Sequence, residues 1–363
     1  MIKKVATILI LCLFHVAGNS QVRVEGSAST GVLIQHKFKN MASLAKERPY
    51  AYALCVSQQT DSNQVWAASY NYPRYGMELL FLSPGDPEDI GYAYCVIPYI
   101  RFSFLRKNYL FDPGFYIGIG MGYITKPFDP NNNYKNFVIS RHWNVAATLN
   151  LDVETRLSDH FFLRSSVGVA HFSNGAIKMP NYGLNIFTGT ISASYVLSEK
   201  NVLSLKNKPD ELKQDHRTHI DLFFSGGQKE NRILLNGEKY RMGAISAQGS
   251  YRYGRVLAVG ATADLFYDSS ERAEKMYVDS ASIAYWRSLK PGLAISHEFF
   301  FGRISAFLQY GIYIHLNKYS DQATYQRLAL RYAITNRIRG HFGIKTNFFE
   351  ADYMELGMGI RLY

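Results

Sequence analysis

Apolar and polar side chains alternate with a period of two along extended stretches of the chain. From Phe115 to Tyr123, every odd position is apolar or aromatic, and three of the four even positions are glycine. From Ala147 to Val153 the odd positions are again apolar, while Asp152 and Glu154 belong to the polar even positions. A period of two is the pattern of a β-strand with one apolar and one polar face. The chain is therefore predicted to be all-β.

Alternation alone fits both a soluble sandwich, which buries its apolar face, and a membrane barrel, which turns that face to lipid. Many of the alternating segments run for ten residues or more, whereas strands of globular proteins average about five or six. The pattern continues from Met354 to Leu362, and an apolar terminal strand of this kind resembles the assembly signal of outer-membrane barrels. These features favour an antiparallel transmembrane β-barrel of the outer membrane.

The number of candidate strands is about fourteen, within a range of about 8 to 16 that suits such barrels. Polar, turn-rich connections occur at Ser83–Asp89, Asp129–Tyr134 and Leu205–Arg217. The last connection is rich in Lys and Asp and could divide the chain. Because the strand segments on both sides of it look alike, we predict a single barrel domain over residues 21–363. The alternative is an eight-strand barrel followed by a second β-unit.

The first twenty residues have the character of a signal peptide. Lys3 and Lys4 form a positive start, Val5 to Val16 is apolar, and Gly18 and Ser20 are small residues before a cleavage point at Gln21. The apolar run is too short for a membrane-spanning helix, which needs about 20 residues. We therefore expect residues 1–20 to be removed and the mature chain to lie in the bacterial outer membrane.

Composition narrows the class of protein. Charged residues make up 19% and aromatic residues 15% of the 363 residues, and the mean hydropathy is −0.15, which excludes a helical membrane protein. The formal net charge of +11 falls by two, to +9, when Lys3 and Lys4 leave with the signal peptide. This basic charge suits phosphorylated lipid headgroups or solvated barrel rims. Export from the cytoplasm argues against nucleic acid as a partner.

Two cysteines, Cys55 and Cys95, are left in the mature chain. An oxidising compartment permits a disulfide between them, and the sequence leaves this pairing open. The chain has neither a CxxC motif nor a His-rich metal pattern. No cofactor and no metal are therefore predicted.

A cluster of polar residues follows one strand and opens the next. His171 and Ser173 continue the apolar odd positions of the preceding strand, and Asn185 occupies an odd position of the following strand. All three side chains are expected to project to the lipid side near one rim, where polar groups cost free energy. A serine nucleophile, a histidine base and a third orienting group would make an acyl-ester hydrolase there. A polar rim on a non-catalytic barrel would produce the same pattern.

The stretch from His171 to Gly175, followed by Asn181-Tyr182-Gly183-Leu184-Asn185, resembles the signature of outer-membrane lipid A 3-O-deacylases. It is most similar to the branch in Bacteroidetes-type bacteria that is called acyloxyacyl hydrolase. Upstream segments resemble that branch too: Tyr70-Asn71-Tyr72-Pro73, Tyr75-Gly76, Ile117-Gly118-Ile119-Gly120 and Tyr123-Ile124-Thr125-Lys126. The resemblance covers roughly residues 45–198, whereas residues 216–363 show barrel character only.

This resemblance implies a serine esterase that removes an ester-linked acyl chain from the lipid A of lipopolysaccharide without a metal. By position, Ser173 is the nucleophile and His171 the base, and Asn174 and Gly175 are candidates for stabilising the oxyanion. Members of the family carry a Glu twelve residues after the serine, where this chain has Asn185. An amide orients an imidazole but supplies no charge, so Asn185→Glu is predicted to raise activity.

The absent Glu and the additional C-terminal half also motivate an alternative function, a non-catalytic barrel that serves as a channel or a structural protein. The oligomeric state is left open by the sequence. Four basic residues are candidate contacts for the phosphates of the lipid: Arg101, Arg106, Lys107 and Lys126.

Overall fold

The computed structural model describes residues 21–35, 39–60, 64–105, 110–197, 217–231, 234, 237–280, 288–314, 322–348 and 350–363. The predicted signal peptide, the connection 198–216 and two of the basic candidates, Arg106 and Lys107, lie outside these residues. Within the described ranges, no helix has the length and apolar character needed to cross a membrane. Long β-strands dominate the fold.

Eight strands form the first part of the chain. They are β1 (Val22–Leu33), β2 (Tyr50–Gln59), β3 (Arg74–Ser83), β4 (Ala93–Ser103), β5 (Phe111–Ile124), β6 (Trp143–Arg156), β7 (Phe161–Ser173) and β8 (Leu184–Val196). A 3₁₀ turn (Lys39–Leu44) follows β1, and a short helix, α1 (Val65–Ser69), follows β2.

Eight more strands follow residue 216. They are β9 (Arg217–Glu230), β10 (Lys239–Arg252), β11 (Leu257–Asp268), β12 (Leu289–Phe301), β13 (Ile304–Tyr313), β14 (Thr324–Ala333), β15 (Ile338–Asn347) and β16 (Glu350–Arg361). Helix α2 (Ser270–Asp279) lies between β11 and β12.

Each set of eight strands closes on itself. The order β1 to β8 is closed by antiparallel pairing of β8 with β1, and the order β9 to β16 is closed by pairing of β16 with β9. The all-β antiparallel barrel is thereby confirmed. The preferred single barrel over residues 21–363 differs from this topology, which matches the alternative of an eight-strand barrel followed by a second β-unit. The strand numbers lie within the predicted range of about 8 to 16. The pairing was not predictable because a period of two specifies which way side chains face but not which strands pair to close a sheet.

The chain forms two compact units. Of the described residues, the first comprises those within 21–136, 141–172 and 183–197, and the second comprises those within 137–140, 173–182 and 217–363. The first unit therefore contains β1 to β8 apart from the last residue of β7, and the second contains β9 to β16. Residues 173–182, which follow β7 in sequence, belong to the second unit.

The faces of the strands are those of a membrane barrel. On β6, Leu149 and Leu151 are 54% and 61% exposed, whereas Asp152 and Glu154 are buried. On β12 and β13 of the second unit, Leu293 and Ile312 are exposed in the same way. A soluble barrel would bury its apolar faces, so this reversal fits strands surrounded by lipid.

Ion pairs fill the interior of the first barrel. Arg74 and Arg23 both contact Glu154, at 2.7 and 2.8 Å, and Arg101 contacts Asp152 at 2.6 Å. The interior of an eight-stranded barrel is just wide enough for side chains. Such a filled interior argues against a channel in this barrel.

Two sequence-based expectations concern residues that the structure buries: the phosphate contact of Arg101 and the pairing of Cys55 with Cys95. Arg101 is only 3% exposed and is paired with Asp152 and Asp112, so its role as a candidate phosphate contact is corrected to an interior ion pair. Cys55 and Cys95 are both buried and both free, so the structure has no disulfide between them. The remaining described candidate, Lys126, is on the loop after β5, where its ammonium donates to the Glu88 carbonyl at 3.0 Å.

Candidate active site

His171 and Asn185 lie directly opposite each other on the paired strands β7 and β8. Their side chains meet, with 2.6 Å between Nδ1 of His171 and Oδ1 of Asn185. Because a carbonyl oxygen only accepts, the imidazole donates from Nδ1, so in the neutral ring the lone pair is on Nε2. This is the tautomer that a general base requires.

Both residues occupy positions whose side chains face outward from the barrel. Val167 on β7 and Phe187 on β8 are 51% and 45% exposed, and His171 and Asn185 occupy the same odd positions nearer the strand ends. The two polar side chains are themselves half-buried. The hydrogen bond between them satisfies polar groups that would otherwise face the apolar outer side of the barrel.

Gly183 gives the imidazole its space. Its φ is +80°, a conformation that favours glycine. A Cβ atom at this position would lie 3.1 Å from Cε1 of His171. The turn into β8 therefore packs closely against the ring, and any larger residue at position 183 would press on the base.

Ser173 ends β7 and is 8% exposed. Within the second unit, its Oγ accepts hydrogen bonds from the Gly175 N–H at 3.1 Å and from Nδ2 of Asn181 at 2.9 Å. A hydroxyl has two acceptor lone pairs and one proton. Both lone pairs of Oγ accept hydrogen bonds, so the hydroxyl proton points in the third direction around the oxygen atom. This is the proton that a base would remove. The sequence predicted Ser173 to be open to lipid, whereas the following loop covers it.

Asn174 stabilises the loop by hydrogen bonds, whereas the sequence predicted that it stabilises the oxyanion. Its Nδ2 donates to Oγ of Ser140 at 2.9 Å and to the Lys178 carbonyl at 3.1 Å, and its backbone N–H donates to Oδ1 of Asn181 at 3.2 Å. Its donors thus hold the loop together instead of pointing at the Ser173 hydroxyl. Of the two predicted oxyanion residues, only Gly175 has an N–H directed at Ser173.

Asn181 is the residue that the sequence reasoning did not single out for chemistry. It accepts from the Asn174 N–H with Oδ1 and donates to Ser173 with Nδ2. Because it lies in an irregular loop, no periodicity indicates where its side chain points. The Asn181–Asn185 part of the recognised motif was the one available signal.

The polar groups of this region are a hydroxyl, an imidazole, amides and backbone N–H groups. Among the described residues, no cluster of three or more His, Cys, Asp or Glu side chains could hold a metal ion. A serine hydroxyl, an imidazole and N–H donors are the residue types that covalent acyl transfer uses.

Asn185→Asp is expected to raise kcat/KM for ester hydrolysis about tenfold, because a carboxylate stabilises the imidazolium that forms on His171. Asp matches Asn in size, so it keeps the 2.6 Å contact. Steady-state hydrolysis by folded variants in detergent is the measurement. Asn185→Leu, which removes the acceptor, should lower activity. An Asp variant no faster than the unmodified protein would contradict an orienting role for Asn185.

Comparison with solved structures matches outer-membrane barrels. The outer membrane enzyme PagL is 17% identical, with 46% of this chain and 97% of that chain covered and a TM-score of 0.32. Neisserial surface protein A is 10% identical, with coverages of 48% and 95% and a TM-score of 0.30. A mutant porin of Rh. blastica is 7% identical, with coverages of 94% and 100% and a TM-score of 0.18.

Sequence comparison gives two consecutive family matches. No curated protein sequence matches the chain. The family model described as lipid A 3-O-deacylase (PagL) matches residues 51–194, and the model described as the C-terminal domain of acyloxyacyl hydrolase matches residues 218–363. The chain therefore belongs to the lipid A 3-O-deacylase family of bacterial outer-membrane β-barrels, in a form that carries the acyloxyacyl hydrolase C-terminal domain.

Proposed function

We propose that this protein is an outer-membrane lipid A deacylase, a serine esterase that hydrolyses an ester-linked acyl chain of lipopolysaccharide. The observation that carries the proposal is the set of hydrogen bonds made by three side chains of the family motif, His171, Asn185 and Ser173. His171 is held by Asn185 in the tautomer of a base. Ser173 accepts two N–H donors and keeps its proton for transfer.

In the proposed reaction, Oγ of Ser173 attacks the ester carbonyl while its proton passes to Nε2 of His171. The two residues lie two positions apart on β7, so they share a strand face with about 7 Å between their Cα atoms. Asn185 keeps the ring oriented as it becomes positive. The Gly175 N–H and Nδ2 of Asn181 donate to Oγ before the attack. Once Oγ is bonded to the carbonyl carbon, they are the donors available to the adjacent oxyanion of the tetrahedral intermediate.

Collapse of the intermediate breaks the bond to the lipid A alcohol, which takes the proton from His171 and leaves an acyl-serine. Water then attacks this second ester, with His171 as the base once more, and the free fatty acid departs. The serine returns with its proton. Atoms and charge balance with water as the only co-reactant.

The outer wall beside the site suits an acyl chain. On β7 and β8, Val167, Phe187 and Ile191 are exposed apolar side chains on the same face as His171 and Asn185. Gly189 lies opposite Val167, and a Cβ atom there would meet no neighbour within 4 Å. The open space at Gly189 and the exposed apolar side chains around it suit an acyl chain on the outer wall, which supports a substrate drawn from the membrane.

The function is tested by incubating the purified protein with lipid A in ¹⁸O-labelled water. We expect lipid A to lose the mass of one acyl chain, and the released fatty acid to carry one heavy oxygen, because water resolves the acyl-serine. In parallel, an alkyl fluorophosphonate should modify the Ser173 peptide and leave the Ser165 peptide, also on β7, unmodified. Unchanged lipid A together with unmodified Ser173 would refute the proposal.

A further inference from the structure

The loop after β7, residues 173–182, is tied to the ends of β9 and β10 within the second unit. Glu230 is the last residue of β9 and Lys239 the first residue of β10, and the two lie directly opposite each other in the antiparallel pair. We call residues 173–182 the nucleophile loop, because Ser173 begins it. Both rim residues contact this loop.

Glu230 binds the nucleophile loop at two peptide units. Its Oε2 accepts the Met179 N–H at 2.6 Å, and its own backbone N–H donates to the Ala176 carbonyl at 3.0 Å. Glu230 is 8% exposed, so these bonds are sheltered from water. A hydrogen bond from an N–H to a carboxylate is about twice as strong as one between neutral groups. Glu230 therefore holds both the start and the end of the segment 176–179.

Lys239 completes this attachment. Its ammonium lies 2.5 Å from Oε1 of Glu230 and also donates to the Ile177 carbonyl. The carboxylate is thus held between a cation and a backbone N–H. Three of the four residues in the segment 176–179 are thus bonded to Glu230 or Lys239: Met179 and Ile177 through the two side chains, and Ala176 through the Glu230 backbone N–H.

The attached segment lies between the two donors that face Ser173. Gly175 comes immediately before it, and Asn181 comes two residues after it. Gly175 is itself in close contact, since a Cβ atom there would lie 2.2 Å from Cγ of Met354 on β16. Any displacement of residues 176–179 would therefore move the Gly175 N–H and the Asn181 amide away from the Ser173 hydroxyl.

We propose that Glu230, held by Lys239, is a positioning residue for the esterase reaction. It acts through the nucleophile loop and keeps the two oxyanion donors in place, while making no contact with Ser173. The proposal rests on the proposed function, and it assigns a purpose to the C-terminal barrel: the rim of this barrel supports the catalytic loop.

The test compares kcat and KM of the full chain and its variants on lipid A in mixed micelles. Glu230→Ala is expected to lower kcat about 10- to 100-fold with KM within about twofold, because misplaced donors weaken transition-state binding more than substrate binding. Glu230→Gln, which keeps an oxygen acceptor for the Met179 N–H, should recover most of kcat. The matched control is Glu274→Ala on α2, whose carboxylate contacts Asn231, the neighbour of Glu230; it should leave kcat unchanged.

The outcomes separate this proposal from the proposed function. If the unmodified protein hydrolyses lipid A and folded Glu230→Ala has the same kcat, the positioning role is wrong while the esterase stands. If Glu230→Ala does not fold, Lys239→Met decides, since it removes only the ammonium: a several-fold loss of kcat supports the role and an unchanged kcat overturns it. Equal losses in Glu230→Ala and Glu230→Gln, or a change confined to KM, would also overturn it.

Discussion

Ser173→Ala is expected to lower kcat/KM for lipid A hydrolysis by at least about 10³-fold, because it removes the hydroxyl that forms the proposed acyl intermediate. The residual rate should come from substrate binding and the oxyanion donors alone. Alanine removes the acceptor of the Gly175 N–H and of the Asn181 amide, but it leaves the bonds of Asn174 to Ser140 and Lys178 intact. The nucleophile loop should therefore keep its conformation.

The measurement is mass spectrometry of lipid A from membranes that contain equal amounts of each folded variant. Ser165→Ala is the matched control, because Ser165 is an exposed serine on the same strand and has no part in the proposed chemistry. Loss of the acyl chain at the normal rate in Ser173→Ala would show that another group is the nucleophile. Equal losses of rate in both variants would show that any substitution on β7 lowers the activity, and that the Ser173 hydroxyl has no special role.

Arg327→Met is expected to destabilise the second barrel by about 3–5 kcal/mol, because it leaves two buried carboxylates without the arginine that neutralises their charge. Arg327 is 1% exposed, and its guanidinium contacts Glu355 at 2.9 Å and Asp264 at 3.0 Å from opposite sides. It also donates to Oγ of Ser246 at 2.7 Å. Met fills a similar volume, so the expected loss reflects the missing charge and not a cavity.

Denaturant titration in lipid vesicles, followed by circular dichroism of the β-sheet, would give the free energy of unfolding. Arg337→Met supplies the control, since Arg337 is exposed in the turn between β14 and β15. Its removal should change stability by no more than about 1 kcal/mol. If Arg327→Met and Arg337→Met unfold at the same denaturant concentration, the interior ion pairs contribute little to the stability of the barrel.

The strand faces were predictable from the sequence, because alternation of apolar and polar residues follows directly from strand geometry. Leu149 and Asp152 on β6 show this, as the first is exposed and the second is buried. The same argument placed His171 and Asn185 on the outward positions of neighbouring strands. That the two side chains form a hydrogen bond depended on the register of β7 with β8, which no local pattern specifies.

Other parts of the site were not predictable in this way. Asn181 and Asn174 lie in an irregular loop, where side-chain direction follows from backbone turns and not from a period. Glu230 is separated from Met179 by 51 positions, so only folding brings the carboxylate to the loop. The C-terminal half had no recognised motif, although its family match covers residues 218–363.

The sequence by itself determined that the protein is an outer-membrane β-barrel with apolar outer faces, and that the stretch containing His171 and Ser173 resembles the signature of lipid A 3-O-deacylases. These are properties of short segments, and they can be recognised from residues that are neighbours along the chain. Tertiary structure alone decided that the strands of the described residues close as two barrels of eight, that Arg101 lies in an interior ion pair, and that Asn181 faces Ser173. Those features depend on pairing and contacts between residues far apart in the chain, and sequence periodicity carries no information about them.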